Sequence, residues 1–345
     1  MSAADPPPSN AASNPALDPA MSPAEAEALV RGCLAPEIAH RLRSARLKEG
    51  RVILVAEAGD LSAGARVELE AAMKLAVTRI EGVAEVHVAL TAERRRRRII
   101  AVGSGKGGVG KSTLTTNLAV ALARMGRKVG VIDGDIYGPS QPKLLATENL
   151  RPLSQGDKLV ALDSPHGVKV LSMGHVVAPG KALAWRGPMA GKALGQLVDA
   201  EWGDTDLLLI DLPPGTGDVQ LSMMADSKPD GAILVSTPQD LALLDAARAG
   251  QLFEQGDVTI IGLVENMAGY ECPKCGHISD PFGQGGVERF AKALEFPFLG
   301  RIPLTIETRL AGDKGEPPAA QDGRIGEPFR ALADRLARWL DTGEV

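Results

Sequence analysis

The sequence predicts an α/β protein in which a doubly wound, mainly parallel sheet follows a small α+β domain. Three observations carry this reading. The apolar run Ile99-Ile100-Ala101-Val102 passes through a glycine-rich loop into a segment where Leu114, Leu118, Ala121 and Leu122 recur at helical spacing. Further apolar runs end in carboxylates, at Asp133 and Asp211, and alternate with helical segments, which implies right-handed crossovers and helices on both sheet faces. Residues 24–92 have a strand and helix pattern of their own, set off by an arginine run.

The glycine-rich loop is the chemical centre. Residues 104–113 read Ser-Gly-Lys-Gly-Gly-Val-Gly-Lys-Ser-Thr, and Gly105 to Ser112 satisfy the phosphate-loop pattern G-x-x-x-x-G-K-[ST]. Strand, loop and helix in that order gather backbone N–H groups and the positive end of a helix around one anion. Side chains at Gly105, Gly107, Gly108 and Gly110 would block the approach of backbone to phosphate. The nucleotide cradle is thus Gly105, Lys106, Gly107, Gly108, Val109, Gly110, Lys111, Ser112 and Thr113, with Lys111 reaching the β- and γ-phosphate oxygens and Ser112 binding Mg²⁺. Asp206-Leu-Leu-Leu-Ile-Asp211 has the Walker B form, in which Asp211 holds Mg²⁺ through water. This is the signature of a P-loop NTPase.

Composition bounds the rest. The chain has 345 residues, 44% hydrophobic and 23% charged, enough for one large and one small domain. A net charge of −5 argues against general nucleic-acid binding. No run of 18 apolar residues occurs, so no membrane span is expected. Three cysteines, two in a Cys-x-x-Cys, point to a reducing, cytoplasmic setting with metal or redox use. Residues 1–23, rich in Pro, Ala, Ser and Asn, read as a disordered tail and not as a targeting signal. Met21 is a candidate biological start, which the intact mass of the natural protein decides.

In the small domain, Ser22-Pro23-Ala24-Glu25 signals a helix start, with Ala28, Leu29 and Cys33 following at helical spacing. Residues 51–55 read as a strand. Residues 65–80 read as an amphipathic helix with Val67, Leu69, Met73, Leu75 and Val77 among its apolar positions, and 83–90 alternate as a second strand. Cys33 lies on an apolar helix face and is expected to be buried. Residues 93–98, Glu followed by five arginines, read as a solvated linker.

In the large domain, residues 127–132 form the strand that ends in Asp133-Gly134-Asp135, and acidic groups at a strand's carboxyl end face the ligand crevice of such a sheet. Residues 168–171, 206–211, 232–235 and 260–264 supply further strands, the last ending in Glu265-Asn266-Met267. Pro188 suits the first turn of a helix running through Leu194 and Val198. Leu212-Pro-Pro-Gly-Thr-Gly-Asp218 is stiff at its start and mobile at its end, as befits a γ-phosphate sensor. Phe329, Leu332, Leu336 and Leu340 mark a C-terminal amphipathic helix. Asp334 and Asp341 interrupt its basic face, so it is expected to pack on the sheet and not on a membrane. Cys272-Pro-Lys-Cys275-Gly-His277 is half of a tetrahedral metal or cluster site. Two cysteines from a second copy would complete it; a structural Zn²⁺ with His277, or a redox disulfide, are the alternatives.

These strings resemble a known family. Lys106 to Thr113 is similar to the deviant Walker motif of the group containing MinD, ParA, the nitrogenase iron protein and the Mrp/ApbC proteins. Trp185-Arg-Gly-Pro-Met189 and Ile210-Asp-Leu-Pro-Pro-Gly-Thr-Gly-Asp218 resemble Mrp/ApbC in particular. The resemblance implies that Lys106 crosses a homodimer interface to the partner's nucleotide, much as an arginine finger does. It implies that Asp135 orients the attacking water, that Asp133 supports the Mg²⁺ sphere, and that Asn266 pairs with the adenine edge beside the Pro303 loop. Without that resemblance, Lys106 is a solvent-facing loop residue, and Asp135 and Asn266 are turn caps. It further implies a [4Fe–4S] cluster held by Cys272 and Cys275 of two subunits, taken from a donor and passed to apo iron–sulfur clients with ATP hydrolysis. A positioning ATPase of the MinD/ParA kind, or an ATP-driven cluster reductase, are the rival activities. The small domain resembles the iron–sulfur assembly domain often fused in front of such ATPases. It departs in having Ala35-Pro36-Glu37 for Asp-Pro-Glu, and in lacking the loop cysteine within residues 59–64, so docking is the role expected of it.

Overall fold

The computed structural model describes residues 21–345 apart from 49, 60, 62, 92–96, 137 and 177–186. The tail up to residue 20, most of the arginine run, and Trp185-Arg186 lie outside the described residues. The chain divides into two compact units, with the boundary between Arg96 and Arg97.

The first unit opens with α1 (Pro23–Cys33), capped as the sequence predicts: Glu25 N–H donates to Ser22 Oγ and Ser22 N–H donates to Glu25 Oε2 at 2.9 Å. Next come α2 (Pro36–Ala39), β1 (Leu42–Lys48), β2 (Arg51–Glu57), α3 (Ala63–Thr78) and β3 (Glu85–Thr91). The sheet order is β1-β2-β3, with β1 antiparallel and β3 parallel to β2. Val52, Leu54 and Ala56 face inwards with Leu69, Met73 and Val77 of α3, while Val67 and Leu75 stand in solvent. Cys33 is half-buried against this core. The unpredicted strand is β1, where arginines alternate with Leu42 and Ala45 and dilute the apolar signal.

The second unit runs β4 (Arg98–Gly103), α4 (Lys111–Arg124), β5 (Val129–Asp133) and α5 (Gln141–Leu144). A short ribbon follows, of β6 (Ser154–Gln155) and β7 (Lys158–Leu159), then β8 (Leu162–Asp163), β9 (Lys169–Ser172) and α6 (Met173–Val176). Then come α7 (Gly187–Val198), β10 (Leu207–Asp211), α8 (Asp218–Asp226), β11 (Gly231–Ser236) and α9 (Asp240–Gln255). The chain ends with β12 (Ile260–Glu271), β13 (Ile278–Ser279), α10 (Gly286–Ala293), β14 (Phe298–Leu304), α11 (Ile306–Lys314) and α12 (Glu327–Thr342).

The large sheet has the order β13-β12-β11-β4-β10-β5-β9-β8, with β14 parallel to β12. Its pairings are parallel from β12 to β9, and only the short β8 and β13 run antiparallel. Strands buried on both faces explain the unbroken apolar runs of β10 and β11. On one face Leu114, Leu118 and Leu122 of α4 pack with Phe329, Leu332 and Leu336 of α12, so the C-terminal helix does lie on the sheet. The other face holds Leu194, Leu197, Trp202, Met223 and Phe253. This is the doubly wound α/β fold, and no described helix is long and apolar enough to cross a membrane. Asp133 and Asp211 are register partners at the carboxyl edge of adjacent strands β5 and β10.

Candidate functional site

The loop between β4 and α4 leaves a helix terminus open. Gly110 is the N-cap of α4 and has no side chain to cap it, so the first-turn N–H groups are free for an anion. Gly110 has φ +87°, and a Cβ there would lie 2.0 Å from Asn266 Nδ2. A Cβ on Gly105 would come within 2.1 Å of the Asp245 backbone in α9. The two glycines therefore set how closely the loop meets its neighbours. Gly107 and Gly108 are exposed, Val109 is buried, and Ser112 and Thr113 are half-buried at the helix start. Lys106 Nζ donates to Gln239 Oε1 at 3.2 Å, so the second lysine rests beside the start of α9.

Behind the loop lies a buried charge cluster. Lys111 Nζ contacts Asp211 Oδ1 at 2.5 Å, with the lysine 6% and the aspartate 0% exposed. The same ammonium is 3.5 Å from Ser112 Oγ. It stands where a cation meets both oxygens, so Ser112 and Asp211 fit a Mg²⁺ site. Asp133 is also fully buried. Its Oδ2 accepts from Ser140 N–H (2.9 Å), Gln141 N–H (3.0 Å) and Ser172 Oγ (3.0 Å), and Oδ1 from Asp135 N–H (3.2 Å). Burial, and then the neighbouring Asp211 carboxylate, push Asp133 up to about 7. Asp135 Oδ1 accepts from Gly138 N–H at 3.2 Å, the turn-capping contact.

Two glutamines missing from the sequence expectations hold this region together. Gln141, fully buried, donates to Asp211 Oδ2 at 2.9 Å and to the Ser112 carbonyl at 3.1 Å. Gln220 donates to the carbonyls of Pro213 (2.8 Å) and Gly215 (3.0 Å), pinning the loop after β10, while Gly215 N–H donates to the Ser104 carbonyl at 2.9 Å. The only sequence signal for either was a polar residue just past a Gly/Pro turn at a strand's carboxyl end.

The strand β12 runs past the expected stop at 264 and links the loop to the cysteines. Asn266 Nδ2 donates to the Val109 carbonyl at 2.8 Å, inside the phosphate loop. Its register partner on β14 is Ile302, immediately before Pro303. Glu265, 0% exposed, accepts from Gly285 N–H, Val287 N–H and Arg301 Nε, which ties β12 to the start of α10 and to β14. Beyond positive φ values at Met267 (+60°) and Gly269 (+76°), the strand pairs with β13 and reaches Glu271. Polar Glu265, bonded to the start of α10 and to Arg301, and polar Asn266, bonded to the phosphate loop, end the apolar pattern, and so the sequence conceals the extension.

Cys272 and Cys275 occupy the turn between β12 and β13. Cys272 N–H donates to the His277 carbonyl at 2.9 Å, and Gly276 N–H donates to the Cys272 carbonyl at 2.8 Å. Both are free thiols, Cys272 half-buried and Cys275 exposed. Backbone N–H groups of Lys274 and Cys275, then the Cys275 side chain, hold the Cys272 thiol below its ordinary value, which favours the thiolate that binds metal. The His277 residue is exposed. Among the described residues no three His, Cys, Asp or Glu side chains converge into a metal site.

Comparison with known proteins places the chain in a family. The family described as ParA: NUBPL iron-transfer P-loop NTPase matches residues 95–337. A protein of Escherichia coli (strain K12) named iron-sulfur cluster carrier protein is 46% identical over 247 residues, covering 71% of this chain and 67% of the relative. One of the same name from Methanococcus maripaludis is 45% identical over 241 residues, covering 69% and 83%. Among solved structures, a nucleotide-binding protein from Archaeoglobus fulgidus in complex with ADP superposes with a TM-score of 0.58 at 38% identity, covering 68% of this chain and 92% of that one. The septum site-determining protein MinD from Pyrococcus horikoshii, complexed with Mg-ADP, gives 0.53 at 25% identity, covering 72% and 99%. By the match over residues 95–337, most of its large unit, this chain belongs to the ParA: NUBPL iron-transfer P-loop NTPase family.

Proposed function

We propose that this chain is an ATP-hydrolysing iron–sulfur cluster carrier that works as a cytoplasmic homodimer, its N-terminal domain (24–92) serving as a docking module ahead of the ATPase domain. The loop of residues 105–113 binds ATP, and Lys111 leaves Asp211 for the phosphate oxygens. Ser112 and Asp211, the latter through water and with Asp133 beside it, hold Mg²⁺. The ion supplies charge neutralisation at the phosphates. Asp135 orients the attacking water, Lys106 reaches the partner's nucleotide, and Asn266 exchanges the Val109 carbonyl for the adenine edge beside Pro303. The cargo is a [4Fe–4S] cluster gripped by Cys272 and Cys275 of two subunits, received from a donor and delivered to apo-proteins.

The observation that carries this reading is the course of β12. One strand bonds the phosphate loop through Asn266 and, six residues later, presents a two-thiol turn whose first sulfur is tuned towards thiolate. Two thiols leave a tetrahedral set half complete, which suits sharing across a two-fold axis. Anaerobic reconstitution with iron and sulfide, followed by transfer to an apo-ferredoxin, tests it. The natural chain is expected to take up and hand on a cluster, and Cys272→Ala to do neither. Uptake of a transferable cluster by Cys272→Ala sinks the proposal.

A further inference from the structure

Gln141 is a buried amide that reaches two carboxylates at once. Its backbone N–H donates to Asp133 Oδ2 at 3.0 Å, and its Nε2 donates to Asp211 Oδ2 at 2.9 Å. The other Nε2 hydrogen goes to the Ser112 carbonyl at 3.1 Å, and Oε1 accepts from the Thr116 hydroxyl at 2.7 Å. Both amide hydrogens and the amide oxygen are used. Reversing the amide would aim its oxygen at two other oxygens, so the network fixes its orientation.

This arrangement divides the labour of the Asp211 carboxylate. Oδ2 is held by a neutral donor from α5, while Oδ1 faces the position now taken by the Lys111 ammonium. When phosphate draws Lys111 away, Gln141 is the donor that still holds Asp211 in place. We propose that Gln141 is the positioning residue of the cation site. It fixes Asp211 so that Oδ1 stays turned towards the Mg²⁺ shell, and it ties that shell to the loop after β5 that carries Asp135. The inference rests on reading the phosphate loop as an ATP–Mg²⁺ site. Removing the partner of a directly bound ligand typically weakens a metal site by about 10- to 100-fold, and since Asp211 acts through water the low end of that range applies.

Binding of a fluorescent ATP analogue to the full chain, first in EDTA and then across a Mg²⁺ titration, tests the proposal. In Gln141→Met, which keeps the volume and loses the donors, the Mg²⁺ concentration for half-maximal tightening is expected to rise about tenfold. Affinity in EDTA should stay as in the natural chain. Thr116→Val, which removes a hydroxyl shared between Gln141 Oε1 at 2.7 Å and the Ser112 carbonyl at 2.9 Å, should shift Mg²⁺ dependence the same way by less. The double variant should be no worse than Gln141→Met, because the two act through one network. An unchanged Mg²⁺ midpoint in Gln141→Met overturns the proposal, as does an equal loss of affinity in EDTA, which marks a merely structural role. If Gln141→Met fails to fold, Gln141→Asn, which keeps the amide but cannot reach Asp211 Oδ2, takes its place, and natural Mg²⁺ dependence there overturns the proposal. A natural chain whose nucleotide affinity ignores Mg²⁺ overturns the ATP–Mg²⁺ reading itself, and this inference with it.

Discussion

Replacing Lys111 with Met should destabilise the nucleotide-free protein, although phosphate binding is the role proposed for the residue. Lys111 and Asp211 are 6% and 0% exposed and touch at 2.5 Å, with Asp133 alongside. Taking one partner from a buried pair strands the other charge, at a cost of about 3–5 kcal/mol. Gln141 still holds Asp211 Oδ2 and the carboxylate pair can take up a proton, so the lower end, about 3 kcal/mol at pH 8, is expected. The pH dependence has a definite sign. A carboxyl raised from 3.8 to about 7 on folding contributes stability that is full below pH 3.8 and lost as pH rises through 7. Lys111 is one of the groups that lower Asp133, so removing it extends that loss to higher pH. The deficit of Lys111→Met is therefore smaller at pH 6 than at pH 8. Urea unfolding followed by tryptophan fluorescence measures it, since buried Trp202 and Trp339 both lie in the large unit. A variant within about 0.5 kcal/mol of the natural chain at pH 8 would refute the reasoning, because surface charges behave that way and buried ones do not.

Other outcomes follow from the same geometry. Gly110→Ala places a methyl against Asn266 in a left-handed backbone; it should lower stability by about 1–2 kcal/mol and weaken binding of the fluorescent ATP analogue, measured by melting and titration. Lys106→Ala should leave ATP affinity in place and cut turnover by about a hundredfold, read as kcat against KM in a phosphate-release assay. His175 has its pKa lowered to about 4, chiefly by burial, so stability should fall as pH drops from 6.5 towards 4, and less steeply in His175→Asn. Equal slopes in acid unfolding would contradict that assignment.

The legible parts of the chain were those where one residue type has one physical use. The loop at 105–112 needs glycine, lysine and hydroxyl in fixed order, and the runs of β10 and β11 are apolar because both faces are covered. The less legible parts depend on contacts distant in sequence. Gln141 acquires meaning only when Asp211, 70 positions away, lies beside it. Glu265 reads as the end of a strand until Arg301 and the start of α10 close over it. The extension of β12 to Glu271 is held by pairing with β13 and β14, which local propensity does not encode. In α3, Val67 and Leu75 look as apolar as Leu69 and Met73, and only packing shows which pair faces the sheet.

In the proposed carrier, two copies of this chain share one inorganic centre through Cys272 and Cys275. Iron, sulfide and zinc content, taken with the native mass of anaerobically purified protein, tests it most directly. A two-chain species is expected, with iron and sulfide in equal amounts, one cluster per pair of chains, made labile by ATP. A single chain carrying zinc alone, with or without adenylate, would contradict it.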